Sequence, residues 1–246
     1  MYFEKNDEFE NIETAYICNF SKAYITKNQH ILNNLYLNDL TRFIVEKTVY
    51  GTPIFKLGNG GCKILIVSGV HGNELPPQIA NTFLINKLYP KKLAHTVYFI
   101  PFASPKSTMN NERTFNAMDL NRSAHIKNTI SNLIIQAAID LKVDFLGDFH
   151  STSYNSNPGR EAVFSSHSPM PESSIMAEYI SQKVGSDTII FSTAGSTYKG
   201  AIEDVSNLNG IPAVTCEVLS PFASVGVGSC EKSLLQMESL LDYFGI

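Results

Sequence analysis

Residues 63–77, KILIVSGVHGNELPP, join an apolar run to a turn that carries a histidine and a glutamate. The run is short and rich in β-branched residues, which is typical of a strand buried on both faces of a sheet. Pro76 follows at an early helical position, and apolar residues at helical spacing continue to Tyr89, so a helix is predicted next. His71 and Glu74 therefore lie in a strand-to-helix turn, three residues apart, where both side chains can point at one metal ion.

Strands alternate with helices along most of the remaining sequence. Apolar runs predict strands at 95–102, 143–150, 187–193 and 212–218, and helical spacing predicts helices at 126–141, 173–184, 201–210 and 231–244. Two alternating apolar runs flank Gly51 and predict a hairpin, and the polar segments 103–123 and 151–172 are predicted to be long loops. The pattern predicts an α/β fold with a mostly parallel, mixed central sheet and helices on both faces.

The length of 246 residues and the hydrophobic content of 43% are enough for one complete domain. Residues 1–40 are polar, rich in asparagine and weakly periodic. We predict that they form a surface extension or an irregular β element packed on a single domain at 41–246.

Composition argues against several classes of protein. The formal net charge is −4 and no basic run occurs, so no nucleic-acid partner is predicted. The apolar stretches have the length of strands, and the first 20 residues are acidic, so neither a membrane span nor a signal segment is predicted. The four cysteines are scattered without a C-x-x-C pair, which suits a reducing compartment. The sequence predicts a soluble cytoplasmic protein without a membrane partner.

Polar side chains follow three of the predicted strands, at the edge where ligands of such sheets bind. His71 and Glu74 follow one strand, His150 ends another, and Glu217 lies near the end of a third. Two imidazoles and one carboxylate occupy three corners of a zinc tetrahedron and leave the fourth open, as in catalytic zinc sites. We predict one zinc ion per chain, with Asp148 as a possible outer acceptor. The alternatives are a chance H-x-x-E pair and a hydrogen-bonded structural histidine at 150.

Two further features complete the predicted site. Glu217 lies in an apolar strand, where an unpaired carboxylate is costly, so it is either a structural ion-pair partner or a general base beside the metal. The loop at 110–123 contains Arg113 and Arg122, two of only four arginines. Guanidinium groups bind carboxylates in a bidentate manner and stabilise oxyanions. The segment DLNR in this loop could instead be a helix-capping turn.

Four motifs occur in the order GVHGNE (69–74), DLNR (119–122), DFHST (148–152) and CEV (216–218). With these motifs the sequence resembles the zinc metallocarboxypeptidase superfamily, and most closely its succinylglutamate desuccinylase and aspartoacylase branch. The likeness extends over roughly residues 42–245. It implies a metallocarboxypeptidase-like fold, zinc bound by His71, Glu74 and His150, and Glu217 as the general base.

The resemblance also implies residues that bind the substrate. Arg122 together with Asn121 would hold a free carboxylate, and Arg113 would polarise the scissile carbonyl. Tyr198, in AGSTYKGA, corresponds to a tyrosine near that carboxylate, although an exposed loop tyrosine is the alternative. Arg160, in the second long loop, is a further candidate for substrate binding.

These expectations define a function and its competitors. The leading prediction is a zinc-dependent hydrolase that cleaves an amide next to a free carboxylate, a deacylase of small N-acyl amino acids. The alternatives are a carboxypeptidase acting on peptides, including cell-wall peptides, and a non-catalytic domain that binds a metal or a carboxylate. Enzymes of the desuccinylase and aspartoacylase branch carry a C-terminal β domain that narrows the entrance to the site. The sequence ends at Ile246, so we expect no such domain and a more open site.

Overall fold

A computed structural model describes all residues from Met1 to Ile246 and contains one sheet of nine strands with eight α-helices. The strands are β1 Glu4–Lys5, β2 Ile12–Cys18, β3 Thr52–Leu57, β4 Lys63–Ser68, β5 Thr96–Ile100, β6 Phe145–Thr152, β7 Ala162–Ser168, β8 Asp187–Thr193 and β9 Ala213–Leu219. The helices are α1 Gln29–Leu32, α2 Asp39–Lys47, α3 Leu75–Leu88, α4 Pro105–Asn110, α5 Ile130–Leu141, α6 Pro171–Val184, α7 Ile202–Leu208 and α8 Ser229–Tyr243. None of them is both long and apolar enough to cross a lipid bilayer.

The sheet is parallel at its centre and antiparallel towards its margins. Its strand order is β1-β2-β3-β5-β4-β6-β9-β7-β8. The neighbours from β5 through β4 and β6 to β9 run parallel, as do β7 and β8. The pairs β1–β2, β2–β3, β3–β5 and β7–β9 are antiparallel. The predicted mixed α/β fold is therefore confirmed.

Strand β4 shows why the centre of the sheet is stable. Successive side chains of a strand point to opposite faces. Ile64 and Ile66 enter a core with residues of α3, α6 and α8, whereas Leu65 and Val67 enter a second core with residues of α5 and α7. All four side chains are fully buried. A strand between two apolar layers has no polar face, which explains its continuous apolar sequence.

The hairpin predicted around Gly51 is wrong. Its first run belongs to helix α2, which begins where the Asn38 side chain accepts a hydrogen bond from the Thr41 backbone N–H at 2.8 Å. The buried Leu40, Phe43 and Ile44 recur at helical spacing. The apolar residues of this run also fit the alternation of a strand, so periodicity did not distinguish the two structures. The second run is β3, which pairs with β2 and β5 instead of with its neighbour in sequence.

The two predicted long loops also contain regular structure. The segment 103–123 includes α4 and a 3-10 helix at Leu120–Arg122, and the segment 151–172 includes β7. Strand β7 has few apolar residues, and its position depends on pairing with β8 and β9, which are distant in sequence. Near the N-terminus, β2 joins the sheet, and Ile12 and Ile25 are fully buried in the main core.

Two glycines shape the turn between β4 and α3. Gly69 has a φ of +74°, which residues with a side chain rarely adopt. Gly72 lies against the backbone of α4, where an added Cβ would come within 2.1 Å of the Ser107 carbonyl carbon. The turn can hold His71 and Glu74 in place because these glycines let it fold tightly against its neighbours.

We expect Gly72→Ala to lower the free energy of unfolding by about 1–3 kcal/mol, because the new methyl group must displace the α4 backbone. Denaturant unfolding of the variant and the wild type measures this difference. Gly226→Ala is the control, because the atom nearest to its Cβ would be a side-chain hydroxyl oxygen at 3.3 Å. Equal losses in the two variants would show that the contact with α4 does not constrain the turn.

Candidate metal centre and active-site cavity

Three neighbouring strands deliver the predicted metal ligands and base to one edge of the sheet. The turn after β4 carries His71 and Glu74, and the adjacent β6 carries His150 near its end. In the next strand, β9, Glu217 lies directly opposite His150 in the parallel register. Since the carboxyl ends of parallel strands meet at the same edge, the four side chains converge.

The two imidazoles face the same carboxylate. The Nδ1 atom of His71 lies 2.8 Å from Oε1 of Glu74, and Nδ1 of His150 lies 2.8 Å from Oε2. All three side chains are buried, and their potential ligand atoms lie within 4.8 Å of one another. This convergence is close enough for the three residues to share one ion.

The opposite ring nitrogens contact two other carboxylates. Nε2 of His71 lies 2.9 Å from Asp119 Oδ1, and Nε2 of His150 lies 2.8 Å from Asp148 Oδ2. A histidine that binds a metal through one nitrogen commonly donates its other N–H to a carboxylate, which fixes the ring and raises its basicity. The donor set therefore fits a divalent metal such as zinc on the Nδ1 side. Asp148 occupies the outer position predicted for it, whereas the role of Asp119 was not predicted.

Charge in the buried cluster is balanced by close pairing. Burial alone would raise the pKa of Glu74, but His71 and His150 outweigh this effect and hold that pKa below its usual range. For His150, burial acts to lower the pKa, and the negative charges of Asp148 and Glu74 raise it well above its usual value. Two further donors reach the Glu74 carboxylate, namely Arg113 at 2.9 Å and the Ser151 backbone N–H at 3.1 Å.

Glu217 differs from Glu74, Asp119 and Asp148 because it forms no ion pair. Its Oε2 atom is buried without a hydrogen-bond partner, and no ion pair involves its side chain. Burial, followed by the negative charge of Glu74, raises the pKa of Glu217 to about 8. A structural ion pair, the alternative considered from the sequence, is absent. A buried carboxyl group whose pKa is raised in this way is suited to exchange a proton near neutral pH.

A cavity of about 370 Å³ opens beside this cluster. Its wall includes Arg122, whose guanidinium carbon lies 4.8 Å from the centre of the Tyr198 ring. The Tyr198 hydroxyl accepts a hydrogen bond from Asn157 at 2.9 Å. Arg122 donates to the Asn121 carbonyl oxygen and is paired with no carboxylate, so its guanidinium can receive an anion from the cavity.

The structure brings most of the predicted site residues together. Seven of them line the cavity: His71, Glu74, Arg113, Asn121, Arg122, Tyr198 and Glu217. His150 lies behind this wall, in contact with Glu74. Arg160 is not part of the wall, because its largely exposed side chain pairs with Asp187 at 2.7 Å. Glu203 also lines the cavity and was not predicted, since a glutamate in a short predicted helix carries no local signal of a site.

The chain has the fold of the metallocarboxypeptidase-like α/β proteins, and it belongs to the succinylglutamate desuccinylase/aspartoacylase family. The model of the succinylglutamate desuccinylase/aspartoacylase catalytic domain matches residues 60–242. No protein with a curated description has significant sequence similarity to the chain.

Solved structures share this fold at low sequence identity. A succinylglutamate desuccinylase/aspartoacylase from Rhodobacter sphaeroides has a TM-score of 0.62 and 17% identity, over 81% of this chain and 61% of that one. A succinylglutamate desuccinylase from a Silicibacter species has a TM-score of 0.65 and 16% identity, over 81% and 63%. The chain thus spans less than two thirds of these two structures. A candidate metallopeptidase from Shewanella denitrificans has a TM-score of 0.63 and 13% identity, over 98% and 95%.

In the metal-free protein, ionisation of Glu217 should lower stability as the pH rises from about 5 to about 8. Its pKa is about 8 in the folded chain and about 4.3 in the unfolded chain. The folded state therefore binds more protons in this window, and stability is lost as the pH rises towards the folded pKa. Glu217→Gln removes this titration, so the variant should gain at least about 1.4 kcal/mol relative to the wild type between these pH values.

Denaturant unfolding of chelator-treated protein at several pH values measures this gain. Glu231→Gln, a change of the same kind at an exposed position, is the control and should follow the wild type. A constant difference in unfolding free energy between Glu217→Gln and the wild type across the window would contradict the raised pKa.

Proposed function

We propose that the chain is a zinc-dependent hydrolase that cleaves an amide bond next to a free carboxylate in small N-acyl amino acids. Membership of the desuccinylase/aspartoacylase family supports the class of reaction. The arrangement of His71, Glu74 and His150 carries the proposal, because two Nδ1 atoms face one carboxylate while both Nε2 atoms are held by aspartates. This is the donor set of a catalytic zinc site with three protein ligands.

The positions of the neighbouring side chains suggest how the substrate is held. Arg122, with Asn121 beside it, is proposed to bind the free carboxylate, and Tyr198 would stack on the guanidinium and close that end of the cavity. Arg113 lies at the metal centre, 2.9 Å from Glu74, where its guanidinium can reach a carbonyl oxygen that gains negative charge. A substrate held at both ends would present its amide carbon between them.

Proton transfer is assigned to Glu217. Zinc, when bound, acts as a Lewis acid that polarises a carbonyl and lowers the pKa of water. Glu217 would take a proton from the attacking water and deliver it to the leaving nitrogen, which otherwise departs as an unstable anion. Two observations support this role: Glu217 lies opposite His150 in the parallel register, and it lines the same cavity as His71 and Glu74.

A peptidase is the second candidate. A solved structure that matches this chain over nearly its whole length is a candidate metallopeptidase from Shewanella denitrificans, with 95% of that chain covered. A peptide with a free C-terminal carboxylate could use the same Arg122 anchor. A panel of N-acyl amino acids and short peptides, assayed with zinc-loaded protein, distinguishes the two reactions by which substrates release a free amino acid.

Glu217→Gln should lower turnover by about 10²–10⁴-fold on any substrate identified in this panel, because the amide keeps the size of the side chain but cannot accept the proton. Substrate affinity and zinc content should change little. Steady-state kinetics and elemental analysis measure both effects, with Glu231→Gln as the surface control.

Two results would contradict this assignment of Glu217. Loss of zinc from Glu217→Gln would make Glu217 a ligand instead of a base. Turnover close to that of the wild type would make it structural.

A further inference from the structure

The loop that follows β9 contributes an aromatic ring to the wall of the cavity. Phe222 lies in this loop, at residues 220–228, and its side chain lines the cavity while 36% of it stays exposed. The loop supplies no residue to the candidate metal centre, and the proposed reaction does not use Phe222. The ring therefore offers an apolar contact surface to whatever part of the substrate reaches it.

Two hydrogen bonds hold this ring beside the segments that carry the metal ligands. The Ala223 N–H donates to the carbonyl oxygen of Asn73, the residue before Glu74, at 2.8 Å. The side chain of Asn111, two residues before Arg113, donates to the Ala223 carbonyl oxygen at 2.9 Å. Ala223 has a φ of +63°, which residues with a side chain rarely adopt. Contacts on both sides of the residue maintain this conformation and fix the direction of the loop.

The proposed carboxylate anchor is held by a different part of the chain. The Ile202 N–H, at the start of α7, donates to Oδ1 of Asn121 at 3.1 Å. The ring of Tyr198 lies 4.8 Å from the guanidinium carbon of Arg122. Neither contact involves the loop that carries Phe222. A substrate with its free carboxylate on Arg122 and its amide at the metal centre would extend its acyl group towards Phe222.

The acyl side of the cavity offers no free basic side chain. Arg113 and Arg122 are the only arginine or lysine residues in the cavity wall. Arg122 is the proposed anchor of the free carboxylate. Arg113 is already paired with Glu74 at 2.9 Å and with Asp119 at 3.4 Å. Ser151 adds a buried hydroxyl group without a hydrogen-bond partner, which can donate one hydrogen bond but carries no charge. A second carboxylate, at the far end of an acyl group, would lose water here without gaining a basic partner.

We propose that Phe222 determines the acyl specificity of the site and selects an uncharged, apolar acyl group. A short alkyl chain such as butyryl would pack on the ring, and both groups would bury apolar surface. A succinyl group of the same length would bring its terminal carboxylate to that ring instead. The preferred substrates would then be N-alkanoyl amino acids and not N-succinyl amino acids. This inference rests on the proposed function for the orientation of the substrate, and it adds the chemical class of the acyl group.

Binding of three N-acyl-L-alanines to zinc-loaded Glu217→Gln tests the proposal with little hydrolysis during the measurement. The N-butyryl and N-succinyl compounds have acyl chains of equal length that end in a methyl group and a carboxylate. The N-succinamyl compound ends in a neutral amide. Isothermal titration calorimetry should give the butyryl compound a dissociation constant at least about 10-fold below that of the succinyl compound. The amide should lie between them, because it is polar but uncharged.

Two further substitutions in this protein separate the apolar contact from the charge. Phe222→Ala should weaken butyryl binding about 5-fold, because the apolar contact is lost, and leave succinyl binding within about 2-fold. Phe222→Arg should tighten succinyl binding at least about 10-fold and reverse the preference, because the carboxylate gains a guanidinium partner. Val227→Arg is the matched control, since it adds the same charge to the same loop at a fully exposed position outside the cavity wall. It should leave the binding of all three compounds unchanged.

Succinyl binding as tight as butyryl binding with Phe222 in place would overturn the proposal, as would no binding of any of the three compounds. Equal weakening of all three in Phe222→Ala, or an equal gain of succinyl binding in Val227→Arg and Phe222→Arg, would overturn the assignment to Phe222. Hydrolysis by the protein with Glu217 intact separates the proposal from the proposed function. Faster turnover of the succinyl than of the butyryl compound overturns only the acyl specificity. A butyryl preference in binding without any hydrolysis overturns only the reaction.

Discussion

The site depends on the contacts that His71 and His150 both make with the buried carboxylate of Glu74. A buried carboxylate is strongly unfavourable unless cations and hydrogen-bond donors surround it. Here His71 and His150 approach its two oxygens, and Arg113 and the Ser151 N–H complete the shell. The donors come from a turn, a strand and a loop that are far apart in sequence. Strands β4 and β6 and the loop that carries Arg113 must therefore come together before this carboxylate can be buried at acceptable cost.

The need to surround the Glu74 carboxylate with donors also explains how the neighbouring strands and aspartates are arranged. Strands β4, β6 and β9 are neighbours in parallel register, so their ends place the ligands and Glu217 side by side. Asp119 and Asp148 hold the far sides of the two imidazoles. Rings fixed in this way need little reorganisation when a metal binds, which favours tight and specific coordination. The cavity then extends from this rigid centre towards Arg122 and Glu203.

Local patterns in the sequence were sufficient to predict those strands and helices whose own residues show a clear periodicity. The continuous apolar run of β4 and the helical spacing of α3 predicted both elements, and the polar residues at strand ends predicted His71, Glu74, His150 and Glu217. The hairpin failed because the apolar residues of α2 fit both periods. Strand β7 was missed because its pairing partners, not its own composition, make it a strand. Glu203 was not predicted for a related reason, since only tertiary packing brings it to the wall of the cavity.

We propose above all that His71, Glu74 and His150 hold one zinc ion. The most direct test is the zinc K-edge X-ray absorption spectrum of the zinc-loaded protein. We expect two imidazole nitrogens and carboxylate or water oxygens at about 2.0–2.2 Å from the zinc ion, with one imidazole missing in His150→Ala. A sulfur shell near about 2.3 Å, or a spectrum of His150→Ala identical to that of the wild type, would contradict it.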